Sequence, residues 1–336
     1  MFSKEIQCII VYIRWGNEKS MKKIVIYNLC VVILTIILIC IILFSKKDKI
    51  KKYEKNPVLG NKETGTLFDP YVVEFEKTLY MYVSNRKEKC IDVYTSTNGI
   101  KWENKVTVLH SNLQSGWEND VNRCCVIFED NKYKMWYTGQ QKGISKIGYA
   151  EGNTPYKFER IQEEPVLCPE EEYEKVAVMN PYVIWDNQKN VYKMYYAAGE
   201  NYEPDVISYA ESKDGIKWEK HKNNPIYKAS DNKNDFDSYK VGACEVKNIN
   251  GMYYMFYIGY TDINTAYIMC AKSKDGLTGW EKVQEQPLIK PSKYGFDKDA
   301  CYKPTVFLDK KENKLKIWYN GRNNQEEYIG MAVYKF

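Results

Sequence analysis

The chain has 336 residues, a net charge of +5 and only two histidines, His110 and His221. Two histidines exclude a zinc site built on histidine. The charge excess gathers beside an apolar N-terminal run, where it reads as a lipid-headgroup flank and excludes a nucleic-acid footprint.

Taken in chain order, residues 1–23 read as a cytoplasmic segment, with Met21-Lys22-Lys23 resembling a bacterial n-region and offering an alternative start. Ile24 to Phe44 follow as an unbroken apolar run, about 31 Å long as a helix and long enough to cross a bilayer. No small-x-small cleavage site follows, so 24–45 is expected to be an uncleaved signal anchor. Lysines flank both sides of the run. The n-region therefore decides the orientation, a single-pass membrane protein with its main domain outside the cytoplasm.

From residue 50 onward one phrase recurs about every 60 residues: Trp102-Glu103, Phe158-Glu159, Trp218-Glu219 and Trp280-Glu281, with a proline-hydrophobic step after the later three. Before it come Asn98-Gly99, Asp214-Gly215 and Asp275-Gly276, and Asn250-Gly251 separates two alternating apolar runs. Such dipeptides predict tight hairpins. Five aromatic second strands are legible: Leu79 to Tyr82, Tyr133 to Tyr137, Tyr192 to Tyr196, Tyr253 to Tyr257 and Leu315 to Tyr319. The expected fold is all-β, a five-bladed β-propeller of four-stranded blades over residues 50–336, preceded by one transmembrane helix. The fifth unit stops after its third strand. Residues 50–59 resemble 216–226, so Lys51 to Lys55 are expected to supply the missing strand and close the ring. Seven cysteines in this region, an odd number without a close pair, read as free thiols.

First strands line a propeller's axis, and residues that break the repeat there are the candidates for chemistry. Alignment on the second strands brings Asp69, Arg123, Asn180, Ala243 and Lys303 to one inner position. Asp69, before Pro70, suits a base or nucleophile, or else caps a turn. Glu245 lies two residues beyond Ala243 among small neighbours. Strand period two would turn it to the axis as a general acid, unless it is a buried partner of Lys303 or Arg123. Asp120 is the third candidate, and Asp299 stands in a similar loop. Glu118, Glu174, Asp237 and Asp297 recur with an aromatic neighbour and read as structural. Trp102, Trp218 and Trp280 read as packing between blades, whereas Trp117 and Tyr239 are expected to offer stacking platforms for a sugar.

Gly116-Trp117-Glu118, Tyr133 to Gly139, Ile147 to Ala150 and Ser212 to Trp218 together resemble the five-bladed propeller glycosidases. This superfamily comprises glycoside hydrolase families 43, 32 and 68, with the mannoside phosphorylases of family 130 as relatives. The resemblance covers about residues 50–336. It implies an Asp on blade one as base or nucleophile, which Asp69 in Phe68-Asp69-Pro70 matches, and a Glu on a later blade as acid, which Ala243-Cys244-Glu245 matches in a shifted register. A second Asp is implied before a proline on an inner strand; Met179-Asn180-Pro181 carries Asn there, so either Asp120 substitutes or the chain is not a standard member.

The expectation is therefore a membrane-anchored glycoside hydrolase acting on an oligo- or polysaccharide. Its catalytic residues would be Asp69, Glu245 and Asp120, with Arg123, Asn180, Lys303, Trp117, Tyr239 and Asp299 binding substrate. Neither a cofactor nor a metal is expected, although relatives suggest an axial calcium. The alternatives are a carbohydrate-binding propeller without catalysis and a protein-interaction scaffold held at the membrane.

Overall fold

The computed structural model describes residues 50–335. The segments 1–23 and 24–45 lie outside them, and among the described residues no helix is long and apolar enough to cross a membrane.

The described chain is all-β, its one helical element being a short turn at Glu172–Glu174. Blade one comprises Leu67–Phe75, Thr78–Asn85, Cys90–Ser96 and Glu103–His110. Blade two comprises Asp120–Glu129, Lys132–Gln141, Ile144–Thr154 and Lys157–Arg160. In blade three the first strands are Ala177–Asp186, Val191–Gly199 and Val206–Ser212, and the outer one is divided into Glu219–Lys220 and Tyr227–Lys228. Blade four runs through Lys240–Ile249, Met252–Asp262, Thr265–Ser273 and Glu281–Lys282, and blade five through Ala300–Asp309, Lys314–Asn323 and Glu326–Lys335. Each first strand packs against the first strands of two other blades, in the cycle one-two-three-four-five-one. Five antiparallel sheets in a closed cycle are the arrangement of a five-bladed propeller. A single parallel bridge, Ala177 to Ser145, joins blades two and three into one sheet.

The fourth strand of blade five is Ile50–Lys52, which pairs with Tyr334, Val333 and Ala332. Asn56 then exchanges two hydrogen bonds with the Met331 backbone, as Asn224 does with Tyr209 in blade three. The similarity of 50–59 to 216–226 thus has a physical cause, since both segments satisfy the backbone of a third strand.

Aromatic side chains of the second strands join neighbouring blades. Trp318 Nε1 donates to Gly99 O, Trp136 Nε1 to Gly215 O, and Tyr195 OH to Gly276 O. Trp102 and Trp218 pack edge-on against Trp318 and Trp136. Asn250 and Gly251 both have positive φ, the geometry expected of the predicted hairpin. The other three dipeptides differ: only the glycine is at positive φ, and a preceding Ser accepts its N–H while the Asn or Asp accepts two N–H groups further on. Local side-chain acceptors replace the two-residue turn there.

A four-times repeated cluster explains the recurring acids. Tyr137 OH donates to Glu118, Tyr196 to Glu174, Tyr257 to Asp237 and Tyr319 to Asp297. Each buried carboxylate also pairs with a cation: Arg160, Lys220, Lys282 and Lys52 respectively. These acids are structural, because their lone pairs are met inside the blade.

Candidate functional site

At one end of the axis, loops and strand termini from all five blades enclose a cavity of about 800 Å³. Its floor is set by one feature repeated five times. Every first strand carries a β-bulge at the same point, and the bulged residues Asp69, Arg123, Asn180, Ala243 and Lys303 have φ of 50°, 53°, 53°, 29° and 32°. A bulge re-aims a side chain out of the regular alternation. The left-handed backbone costs about 1–3 kcal/mol in a residue other than glycine.

Four of the five line the cavity: Asp69, Arg123, Asn180 and Ala243. Arg123 Nε lies 2.9 Å from Asp69 Oδ2, and Asn180 Nδ2 donates to that same oxygen at 3.3 Å. Arg123 Nη1 is held by Asn122 Oδ1 at 2.8 Å. The blade-one carboxylate, the blade-two guanidinium and the blade-three amide thus form one cluster. Asp120 also lines the cavity, half-buried at the rim and 3.6 Å from Lys89 Nζ.

Two further carboxyls face this cluster, and neither stood out in the sequence. Glu203, half-buried in the loop between Gly199 and Val206, accepts a 2.5 Å hydrogen bond from Tyr260 OH. Burial pushes its carboxyl up to about 7; the Tyr260 bond and Arg123 oppose the rise, while Asp69 and Glu327 add to it. Glu327, held by Arg86 and Asn320, is likewise raised by burial. The Glu203 loop is fixed by Asp205, which pairs with Lys175 and Lys240 at 2.7 and 2.9 Å. Pro204 closes over Gly242, where a Cβ would meet it at 2.5 Å. A signal was present in the chain: residues 200–205 form the longest of the five connections between second and third strands.

Glu245 is not at the cavity, contrary to the sequence expectation. The bulge between Gly242 and Glu245 breaks the period of two, so Glu245 continues the face of Gly242 one layer deeper. It is fully buried, lies 3.1 Å from Lys247 Nζ and 3.9 Å from Lys303 Nζ, and accepts the Val306 N–H at 3.0 Å. Thr305 and Cys125 take the corresponding N–H groups of Val72 and Val183, so Glu245 is one of three side chains joining adjacent first strands. Lys303, 1% exposed, turns into this deeper layer over the Tyr71 ring and does not line the cavity.

The two aromatic platforms are corrected as well. Trp117 is buried inside blade two, stacked on Tyr137 at 6.1 Å and bonded through Nε1 to Glu163 O. Gly139 and Gly148 make room for its ring, since a Cβ on either would meet it at 2.3 and 2.6 Å. Tyr239 is exposed but outside the cavity lining, and Asp299 lines a neighbouring groove. Tyr260 and Tyr302 are the cavity's buried aromatic wall, and Tyr202, 82% exposed, stands at its mouth. Among the described residues no group of three or more acidic, histidine or cysteine side chains is placed to hold a metal ion.

The model of glycoside hydrolase family 130, described as β-1,4-mannooligosaccharide phosphorylase, matches residues 172–333, and the family 32 N-terminal domain matches residues 38–123. An uncharacterized protein of Mycobacterium tuberculosis is 29% identical over 210 residues, covering 59% of this chain and 66% of that protein, slightly under two thirds of its length. A 1,2-β-oligomannan phosphorylase of Thermoanaerobacter sp. is 29% identical over 136 residues, 38% of this chain and 44% of that protein. Among solved structures, a thermostable family-43 glycoside hydrolase superposes with a TM-score of 0.67 at 22% identity, covering 82% of this chain and 91% of its own. A structure from work on family 130 glycoside hydrolases that target β-1,2 mannosidic linkages in Candida mannan gives 0.65 at 14%, covering 85% and 93%. Both share the fold.

Proposed function

Taking the chain as a member of the five-bladed propeller glycosidase superfamily, we propose that it is a glycan-acting enzyme whose reacting groups are Asp69 and Glu203. The observation that carries this reading is the meeting of two carboxyls in one cavity: Glu203, pushed up to about 7 by burial, and Asp69, paired with Arg123. A carboxyl raised by burial can serve as an acid, and a second carboxyl in the same cavity completes the pair that glycosidic cleavage uses. Glu203 gives its proton to the departing glycosidic oxygen. Asp69 accepts the proton of an attacking water, and Arg123 and Asn180 hold its carboxylate in place.

Inorganic phosphate in place of water is the second reading, supported by Arg86, Lys89 and Arg322 in the cavity wall. Turnover of β-1,2- and β-1,4-linked mannooligosaccharides and aryl glycosides, measured with and without phosphate, separates the two. Loss in both Asp69→Asn and Glu203→Gln, each still folded, supports the assignment. A fully active Asp69→Asn would sink it, and glycan binding without turnover in the parent chain would favour a carbohydrate-binding propeller.

The apolar run Ile24 to Phe44 supports holding this domain at a membrane. Carbonate-resistant sedimentation with vesicles, lost on deleting residues 24–45, is the expected behaviour; full release of the intact chain by carbonate would contradict it.

A further inference from the structure

A second concavity of about 670 Å³ lies between blades four and five and shares Arg322 and Asn324 with the axial cavity. One wall is an aromatic pair, Phe236 and Tyr267, with ring centres 4.9 Å apart and both rings half-buried. Gln286, Lys290 and Lys298 line it too, all exposed, and among the described residues their side chains have no hydrogen-bond or ionic partner. Arg322 forms the divide. Its Nη2 donates to Asn264 O and its guanidinium lies 5.7 Å from the Tyr302 ring, but its Nε is buried with no hydrogen-bond partner among the described residues. A buried, unmade N–H is costly unless a ligand meets it.

We propose that this groove is a distal subsite for an oligosaccharide: one end occupies the Asp69 cavity, and the chain passes Arg322 so that a more remote sugar rests on Phe236 and Tyr267. An aromatic pair and free hydrogen-bond donors lining one groove suit a pyranose, which presents C–H groups to a ring and hydroxyls to its edge. The divide is anchored for this task, because Asp299 N–H donates to Arg322 O and Asp299 Oδ2 accepts the Asn324 N–H. The inference rests on the proposed glycan chemistry of the axial cavity, and it adds that the substrate is an extended chain.

The test uses the full chain with Tyr267→Ala and Lys298→Ala, neither of which lines the axial cavity. Mannooligosaccharides of two to six residues are the probes, in turnover and in calorimetric binding to the Asp69→Asn variant. The expected result is a KM and a Kd for the six-residue probe raised about fivefold or more, with kcat and the disaccharide's constants unchanged. An equal effect on all lengths, or none, overturns the distal subsite while leaving the glycan reading intact. Absence of binding and turnover at every length overturns both.

Discussion

Lys52 Nζ lies 2.5 Å from Asp297 Oδ2, although the two residues are 245 positions apart. Lys52 stands where Arg160, Lys220 and Lys282 stand in blades two to four, so the first described strand supplies the cation that blade five would otherwise lack. Asp297 is 1% exposed. Lys52→Ala should therefore lower the free energy of unfolding by about 2 kcal/mol or more, by leaving a buried carboxylate short of its counter-charge. Lys51→Ala, which breaks only an exposed, solvent-screened pair with Glu54, should leave stability nearly unchanged. Equal denaturation midpoints for the two variants would contradict this role for Lys52.

The rate should follow the protonation of Glu203. Its acid form is the active one, so kcat falls as pH rises past about 7, and this limb disappears in Glu203→Gln along with about 10²-fold or more of the rate. Stability carries the same signature. The folded value lies above the ordinary 4.5, so between about 4.5 and 7 the folded chain keeps a proton that the unfolded chain has released. Stability therefore falls as pH rises through this window. Denaturation of Glu203→Gln at pH 5 and pH 7.5 should show that slope reduced; an unchanged slope would assign it to other groups.

Glu245→Gln separates architecture from catalysis. The amide still accepts the Val306 N–H but withdraws the charge facing Lys247 and Lys303. The thermal midpoint should drop, and the high-pH limb of the rate should stay where it is. A shifted limb would return Glu245 to the chemistry.

Trp117→Ala should destabilise by about 3–5 kcal/mol, the usual cost of removing a large buried ring. Its folded fraction should bind glycan as the parent chain does. A weakened Kd at unchanged stability would identify a sugar platform instead.

The fold was largely legible because each blade repeats its own packing rules. Second-strand aromatics must reach the next blade's turn, as Trp136 and Trp318 do, and that requirement writes itself into the chain once per unit. Asp69, Arg123 and Asn180 were legible for the same reason, as departures at one aligned position. The acid was not. Glu245 appeared eligible only while its strand was read with an unbroken period of two, and a bulge has no composition of its own when Ala243 or Lys303 occupies it. Glu203 sits on a loop longer than its four counterparts in the other blades. Its place over the axis depends on Gly242 offering no side chain to Pro204, a contact between residues 38 positions apart.

The five bulges also bear on how this scaffold can be altered. Each bulged residue lies between ladder-bonded neighbours, so exchanging its side chain leaves the pairing on either side unchanged. Backbone at φ near 50° is tolerated best by Gly, Asn and Asp, and so Asn180→Asp is a single-heavy-atom edit that adds another acid beside Asp69 and Arg123 at little conformational expense. Ala243→Asn would reach the same cavity from the opposite blade. The propeller is in this respect a reprogrammable mount, in which new specificities are reachable by point substitution without redesigning a strand.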